Sequence, residues 1–199
     1  MSELPVQIWP ARPKRYLDPM LYLALLRGVN VGGANKVDMK ELKSVFEANG
    51  MESVRTYINS GNVIFSTKNR GLRRVESVLE DEITERFGFD VKVIVRDTRG
   101  LRTIVNAIPR GWTNDQTMRC NVIFLADEVN RPSIIHRLHY RPEIEDVRYV
   151  RGAVIWRIDS KDTSRSGMTK VVGTPIYKQM TIRNCNTARK LLELMESAL

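Results

Sequence analysis

Cysteine is scarce in this sequence: Cys120 and Cys185 are the only two among 199 residues. They lie far apart, without Cys-x-x-Cys spacing, which excludes a disulfide-stapled scaffold and a thiolate zinc site. Histidine is equally rare. His136 and His139 stand at i,i+3 with no third ligand nearby, so no metal is expected. No apolar run approaches the roughly 20 residues of a membrane helix. The longest, Leu21 to Leu26, is strand-sized. Neither Gly-x-x-x-x-Gly-Lys-Ser/Thr nor Gly-x-Gly-x-x-Gly occurs, so no standard nucleotide fingerprint is met and no cofactor is expected. No Gly-x-Ser-x-Gly elbow surrounds any serine. The central strands carry no aromatic pattern of an RNA-recognition motif.

Positive charge is what the chain does have. Thirty-two Lys and Arg oppose 23 Asp and Glu, a net +9. Most of the excess, +7, follows Asp97. Such a field attracts phosphates, although composition alone speaks of solubility and non-specific binding rather than of a site. The 42% hydrophobic content is that of an ordinary folded domain. Residues 1–19 hold four prolines and no apolar signal-peptide core, so a flexible N-terminal extension is expected there. Reduced thiols and the lack of a leader pattern point to the cytoplasm, away from any membrane.

Periodicity orders the rest. Leu21 to Leu26 reads as a buried strand. Asp38 and Glu41 form a capping box that opens a helix ending at Asn49-Gly50. Val54 to Ile58 and Asn62 to Ser66 form a hairpin around Asn59-Ser60-Gly61. Leu72 to Phe87 is a helix, Val91 to Val95 a strand and Thr98 to Ala107 a further helix. This is the β-α-β-β-α-β order of a ferredoxin-like unit.

The second half reads likewise. Met118 to Leu125 is a strand and Arg131 to Leu138 a short helix. Asp146 to Val150 and Ala153 to Ile158 form a hairpin, Thr181 to Arg183 a strand and Thr187 to Leu199 a helix. The stretch from Thr163 to Gly173 fits no single element. Letters also recur in order: Tyr22–Asn30 over Val122–Asn130, Val54–Phe65 over Val147–Trp156, and Val95-Arg96-Asp97 over Ile182-Arg183-Asn184. The expected fold is α+β: two tandem ferredoxin-like repeats with mostly antiparallel sheets, spanning 20–110 and 111–199.

Three segments draw attention. Arg27 to Val37 leaves a strand and enters the capped helix through an unusually long, Gly/Asn-rich connection. The amides of Gly32 and Gly33, with Asn30, Arg27 and Lys36, suit an anion, while turn geometry explains the same glycines. Asp38 at the cap would repel that anion. Ser60 and Asn62 sit in the hairpin turn, where turn chemistry accounts for them. Ser60 is a poor nucleophile candidate without a nearby base. Arg183, Asn184, Asn186 and Thr187 close the last strand and open the last helix. Asn186 or Thr187 is a natural N-cap there, and Arg183 and Asn184 are left to hold a phosphate or base edge.

The stretches Tyr22-Leu-Ala-Leu-Leu-Arg-Gly-Val-Asn-Val-Gly-Gly33, Lys36-Val-Asp-Met-Lys-Glu-Leu42, Thr56-Tyr57 with Ser60-Gly-Asn-Val-Ile-Phe65, and Thr181-x-Arg-Asn-x-Asn-Thr187 resemble the bacterial family catalogued as domain of unknown function 1697. The resemblance runs from Met20 to Leu199. It implies an α+β fold of two ferredoxin-like parts and no particular activity. Cys185 stands where the family usually carries an aromatic residue.

The reading that unites these features is a binding protein for a phosphate-bearing ligand, nucleotide or nucleic acid. The loop from Arg27 to Lys36 would meet the Arg183–Thr187 junction across the two repeats. An enzyme on a small anionic metabolite, or an interaction module without ligand, are the alternatives.

Overall fold

The computed structural model describes residues 20–33, 35–69 and 71–198. The expected N-terminal extension, 1–19, lies outside them. The first half runs β1 (Met20–Leu26), α1 (Met39–Ala48), β2 (Glu52–Tyr57), β3 (Asn62–Thr67), α2 (Leu72–Phe87), β4 (Val93–Asp97) and α3 (Thr98–Asn106). The second runs β5 (Met118–Leu125), β6 (Glu145–Val150), β7 (Ala153–Asp159), β8 (Met180–Asn184) and α4 (Cys185–Glu196). Each half makes one four-stranded antiparallel sheet, in the orders β2-β3-β1-β4 and β6-β7-β5-β8. The molecule is therefore α+β, with the same strand order twice.

Side-chain alternation along the central strands explains why they are apolar on both faces. Tyr22, Ala24 and Leu26 of β1 point to a core shared with Leu42, Val45 and Phe46 of α1 and Val75, Leu79 and Ile83 of α2. Leu21, Leu23 and Leu25 point the other way, into a second core. That core also receives Val122 and Phe124 of β5, Leu101 and Ile104 of α3, and Ala188, Leu191 and Met195 of α4. The two sheets thus face one another across a common apolar layer containing the last helix of each half. Ile123 and Leu125 turn outward to a third core with Ile134, Leu138, Val171 and Ile176.

The halves differ in what covers that outer face. In the second half the expected helix from Arg131 to Leu138 is a 3-10 segment, Pro132–Arg137, and further 3-10 turns occupy 160–165, 167–170 and 175–179. Between β5 and β8 no α-helix forms among the described residues. Pro132 and Pro175 start two of these segments, and each is too short for a regular amphipathic helix. The last helix begins at Cys185 rather than at Thr187, because Asn184, not Asn186 or Thr187, is its cap.

Candidate functional site

The long connection after β1 and the β2–β3 turn come together. Asn30 links them: its side-chain amide donates to the carbonyls of Val37 (2.9 Å) and Asn59 (3.0 Å), and its oxygen accepts from the Val37 amide. Between them and the start of α1 lies an open cavity of about 650 Å³, lined by Asn30, Gly33, Lys36, Asp38, Lys40 and Asn59 among others. Two large aliphatic residues flank it in sequence: Val31 is 62% exposed and Ile58 is 50% exposed. Ile58 also has φ +48°, left-handed backbone that a β-branched residue adopts only under strain.

The electrostatics of this cavity are mixed. Asp38 caps α1 by accepting from the amides of Lys40 (2.8 Å) and Glu41 (3.0 Å). The Glu41 and Lys40 amides, then the Lys40 charge, hold its carboxyl below the usual aspartate range. Because the folded state favours the ionised form, this contribution is present above the ordinary aspartate range and is lost as pH falls through the lowered value. In melting curves, the gap between wild type and Asp38→Ala should be visible at neutral pH and close in acid. The helix amides are already occupied, so positive charge at the cavity comes from Lys36 and Lys40. Neither joins an ion pair among the described residues.

Arg183 is also brought to this region, but as part of the protein's own packing. Its Nε donates to Asn62 Oδ1 (2.6 Å). Nη1 donates to Thr181 Oγ1 and the Ile182 carbonyl, and Nη2 to the carbonyls of Leu26 (2.8 Å) and Ser60 (2.7 Å), with Gly61 at 3.3 Å. All five N–H groups are consumed. Burial pushes the guanidinium pKa down, to about 10, so it stays charged at neutral pH. The expectation that Arg183 clamps a phosphate is thereby corrected: it clamps the end of β1 and the β2–β3 turn. Asn62, fully buried, completes the arrangement by donating to the Tyr57 carbonyl and Ser60 Oγ.

The other half returns the favour through Arg96, which the sequence reading noted only as a repeated letter. Arg96 sends Nη2 to the carbonyls of Leu125 and Gly152 (3.0 Å), the end of β5 and the β6–β7 turn. Each half thus places an arginine from its last strand onto the same two features of the other. The residue after each arginine caps the following helix: Asp97 accepts from the Gly100 amide (2.6 Å) and Asn184 from the Thr187 amide (2.7 Å). Asn130, matched to Asn30 in sequence, likewise holds its turn by accepting from the Gly152 amide (2.7 Å).

The remaining candidates separate. Arg27 turns to the second half, donating to the Tyr177 carbonyl (3.1 Å) and lying over that ring at 4.9 Å. Asn186 donates to the Asn114 carbonyl (3.0 Å), away from the cavity. Gly32 and Gly33 adopt positive φ in open space. Ser60 Oγ accepts from Asn62, and among the described residues no hydrogen bond joins it to a base. Among the described residues no group of three His, Cys, Asp or Glu side chains is placed to hold a metal. Of the predicted residues, Asn30, Gly33 and Lys36 line the cavity, joined by Lys40 and Asn59, which the sequence reading had used only as helix and turn residues.

The family described as "Protein of unknown function (DUF1697)" matches residues 20–156. No curated protein matches the chain. A solved structure of a conserved bacterial protein from Streptococcus pneumoniae is similar, with a TM-score of 0.76 and 25% identity. The match covers 89% of this chain and 99% of that one. Among the described residues no helix is long and apolar enough to cross a membrane.

Proposed function

Because the chain belongs to the DUF1697 family, whose description assigns no activity, we propose a function from its own site: binding of a phosphate-bearing ligand, a nucleotide in the first instance, at the mouth of the Lys36–Lys40 cavity. The observation that carries this reading is the pair of exposed lysines, free of ion pairs among the described residues, beside a cavity of ligand size. Lys36 and Lys40 meet the phosphates as point charges. Val31 and Ile58 offer apolar surface to the rest of the molecule. The strained backbone at Ile58 supports the same reading, since strain gathers where a surface is kept for binding. Arg27 and Arg183 take no part in contact with the ligand.

The same reading treats residues 20–110 and 111–199 as ferredoxin-like repeats of one duplicated unit, in the cytoplasm. The repeated strand order and the reciprocal arginines support it.

Titration with ATP and with a short single-stranded RNA at two salt concentrations tests the proposal. The double variant Lys36→Ala/Lys40→Ala is expected to lose about tenfold or more in affinity while keeping its circular-dichroism spectrum. For RNA, losing two phosphate contacts should reduce the salt slope by about 2. Binding that ignores both substitutions would overturn the assignment of this site.

A further inference from the structure

Both cysteines are fully buried in the layer between the sheets. Their placement is not accidental to the strand register. The β5–β8 ladder pairs Val122 with Arg183 and Asn121 with Asn184. One step beyond the last paired rung lie Cys120 of β5 and Cys185, the first residue of α4. Facing residues of an antiparallel pair have Cα atoms about 4.5–5.5 Å apart, within the range a disulfide bridges. The side chains point into the same core.

The two sulfurs are chemically unequal. The Cys120 thiol beside it lowers the Cys185 pKa, to about 7, against burial and with help from Arg189 and the first amides of α4. The Cys185 side chain and burial hold Cys120 protonated, against a weaker pull from Arg189 and Arg157. Cys185 Sγ lies 3.6 Å from Arg189 Nη1 and 3.7 Å from the Trp112 carbonyl. A segment from Pro109 to Asn114 covers it. Arg189 holds that segment by the carbonyls of Trp112 (2.8 Å) and Pro109 (3.2 Å), and the exposed Asn186 holds it at Asn114.

We propose that Cys120 and Cys185 are a redox-active pair that peroxide closes into an intramolecular disulfide joining β5 to the first turn of α4. The Cys185 thiolate attacks one oxygen of hydrogen peroxide and the O–O bond breaks. The leaving hydroxide takes a proton to become water, and Cys185 is oxidised to a sulfenic acid. Cys120 then gives up its proton and attacks that sulfur, expelling the oxygen as a second water. Two thiols lose two electrons and two protons, and one peroxide becomes two waters. A thiol reductant reverses the bond. Closure removes the sulfur charge that faces Arg189 and leaves this guanidinium to the covering segment alone.

The test treats the folded full-length chain with hydrogen peroxide, then unfolds it in N-ethylmaleimide and measures the intact mass. The expected product is a monomer about 2 Da lighter that takes up no maleimide, with linked peptides containing residues 120 and 185 and a melting temperature raised by several degrees. In Cys120→Ser, Cys185 should be trapped by dimedone as the sulfenic acid. In Cys185→Ser, Cys120 should resist the same dose. Two alkylatable thiols after oxidation of the folded wild-type chain, or linkage only between chains, would overturn the proposal.

Discussion

Replacing Arg183 with alanine is expected to lower the free energy of unfolding by about 3–5 kcal/mol, since several buried acceptors lose their charged donor at about 1–3 kcal/mol each. The substitution takes the donor from the Ser60 carbonyl and from the buried Asn62 side-chain oxygen, and leaves the Leu26 carbonyl with the Thr181 hydroxyl alone. It also removes a direct tie between the two sheets. Arg183→Lys is expected to recover little. A lysine ammonium has three donors around one point and cannot span acceptors spread over β1, the β2–β3 turn and Asn62. Arg96→Ala should move stability in the same direction by a smaller amount, since fewer acceptors depend on it. Urea unfolding measures all three. A loss below about 1 kcal/mol for Arg183→Ala would place this residue among ordinary surface arginines.

The second large effect is expected at Gly61. A Cβ there would lie 2.5 Å from Val29 Cγ2 and 2.8 Å from Leu26 Cβ, on a backbone at φ +69°. Both neighbours are buried, so neither can swing away freely. Left-handed strain of about 1–2 kcal/mol adds to overpacking of about 1–3 kcal/mol. Gly61→Ala should therefore cost about 2–5 kcal/mol. Gly50→Ala is the control: φ is +72° but the space around it is open, so only the backbone share of about 1–2 kcal/mol is expected. Equal losses at the two positions would show that crowding against β1 plays no part. The difference between them measures how tightly the turn is pressed onto the strand whose carbonyl Arg183 also grips.

The strands, their alternating faces and the capped start of α1 were legible because each rests on local chemistry. Asp38 two and three residues before two amides is a cap wherever it occurs, and Leu21 to Leu26 could only be a strand buried on both sides. The common strand order of the two halves had its counterpart in letters, down to the Arg-Asp and Arg-Asn pairs. Their meaning was not legible. An arginine beside Gly- and Asn-rich turns looks the same in sequence whether its acceptors are phosphate oxygens or backbone carbonyls. Only the packing of one sheet against the other supplies Leu26, Ser60 and Asn62 to Arg183. The 3-10 cover of the second half was hidden for a different reason. Short segments broken by proline carry apolar residues at spacings that also fit a helix, and tertiary burial of Ile134 and Ile176 decides between them. The cavity residues Lys40 and Asn59 were overlooked because each already had an adequate local explanation.

Arg183 and Asn184 of the last strand are spent inside the protein, and on the proposed reading Lys36 and Lys40, at the start of α1, offer the charge for a ligand. Nitrogen-15 spectra of the arginine side chains during an ATP titration test this most directly. The Nε–H of Arg183 should exchange slowly with solvent and keep its position at every ATP concentration, while backbone signals of Lys36 and Lys40 move. Rapid exchange of the Arg183 Nε–H, or a shift of that signal as ATP binds, would contradict it.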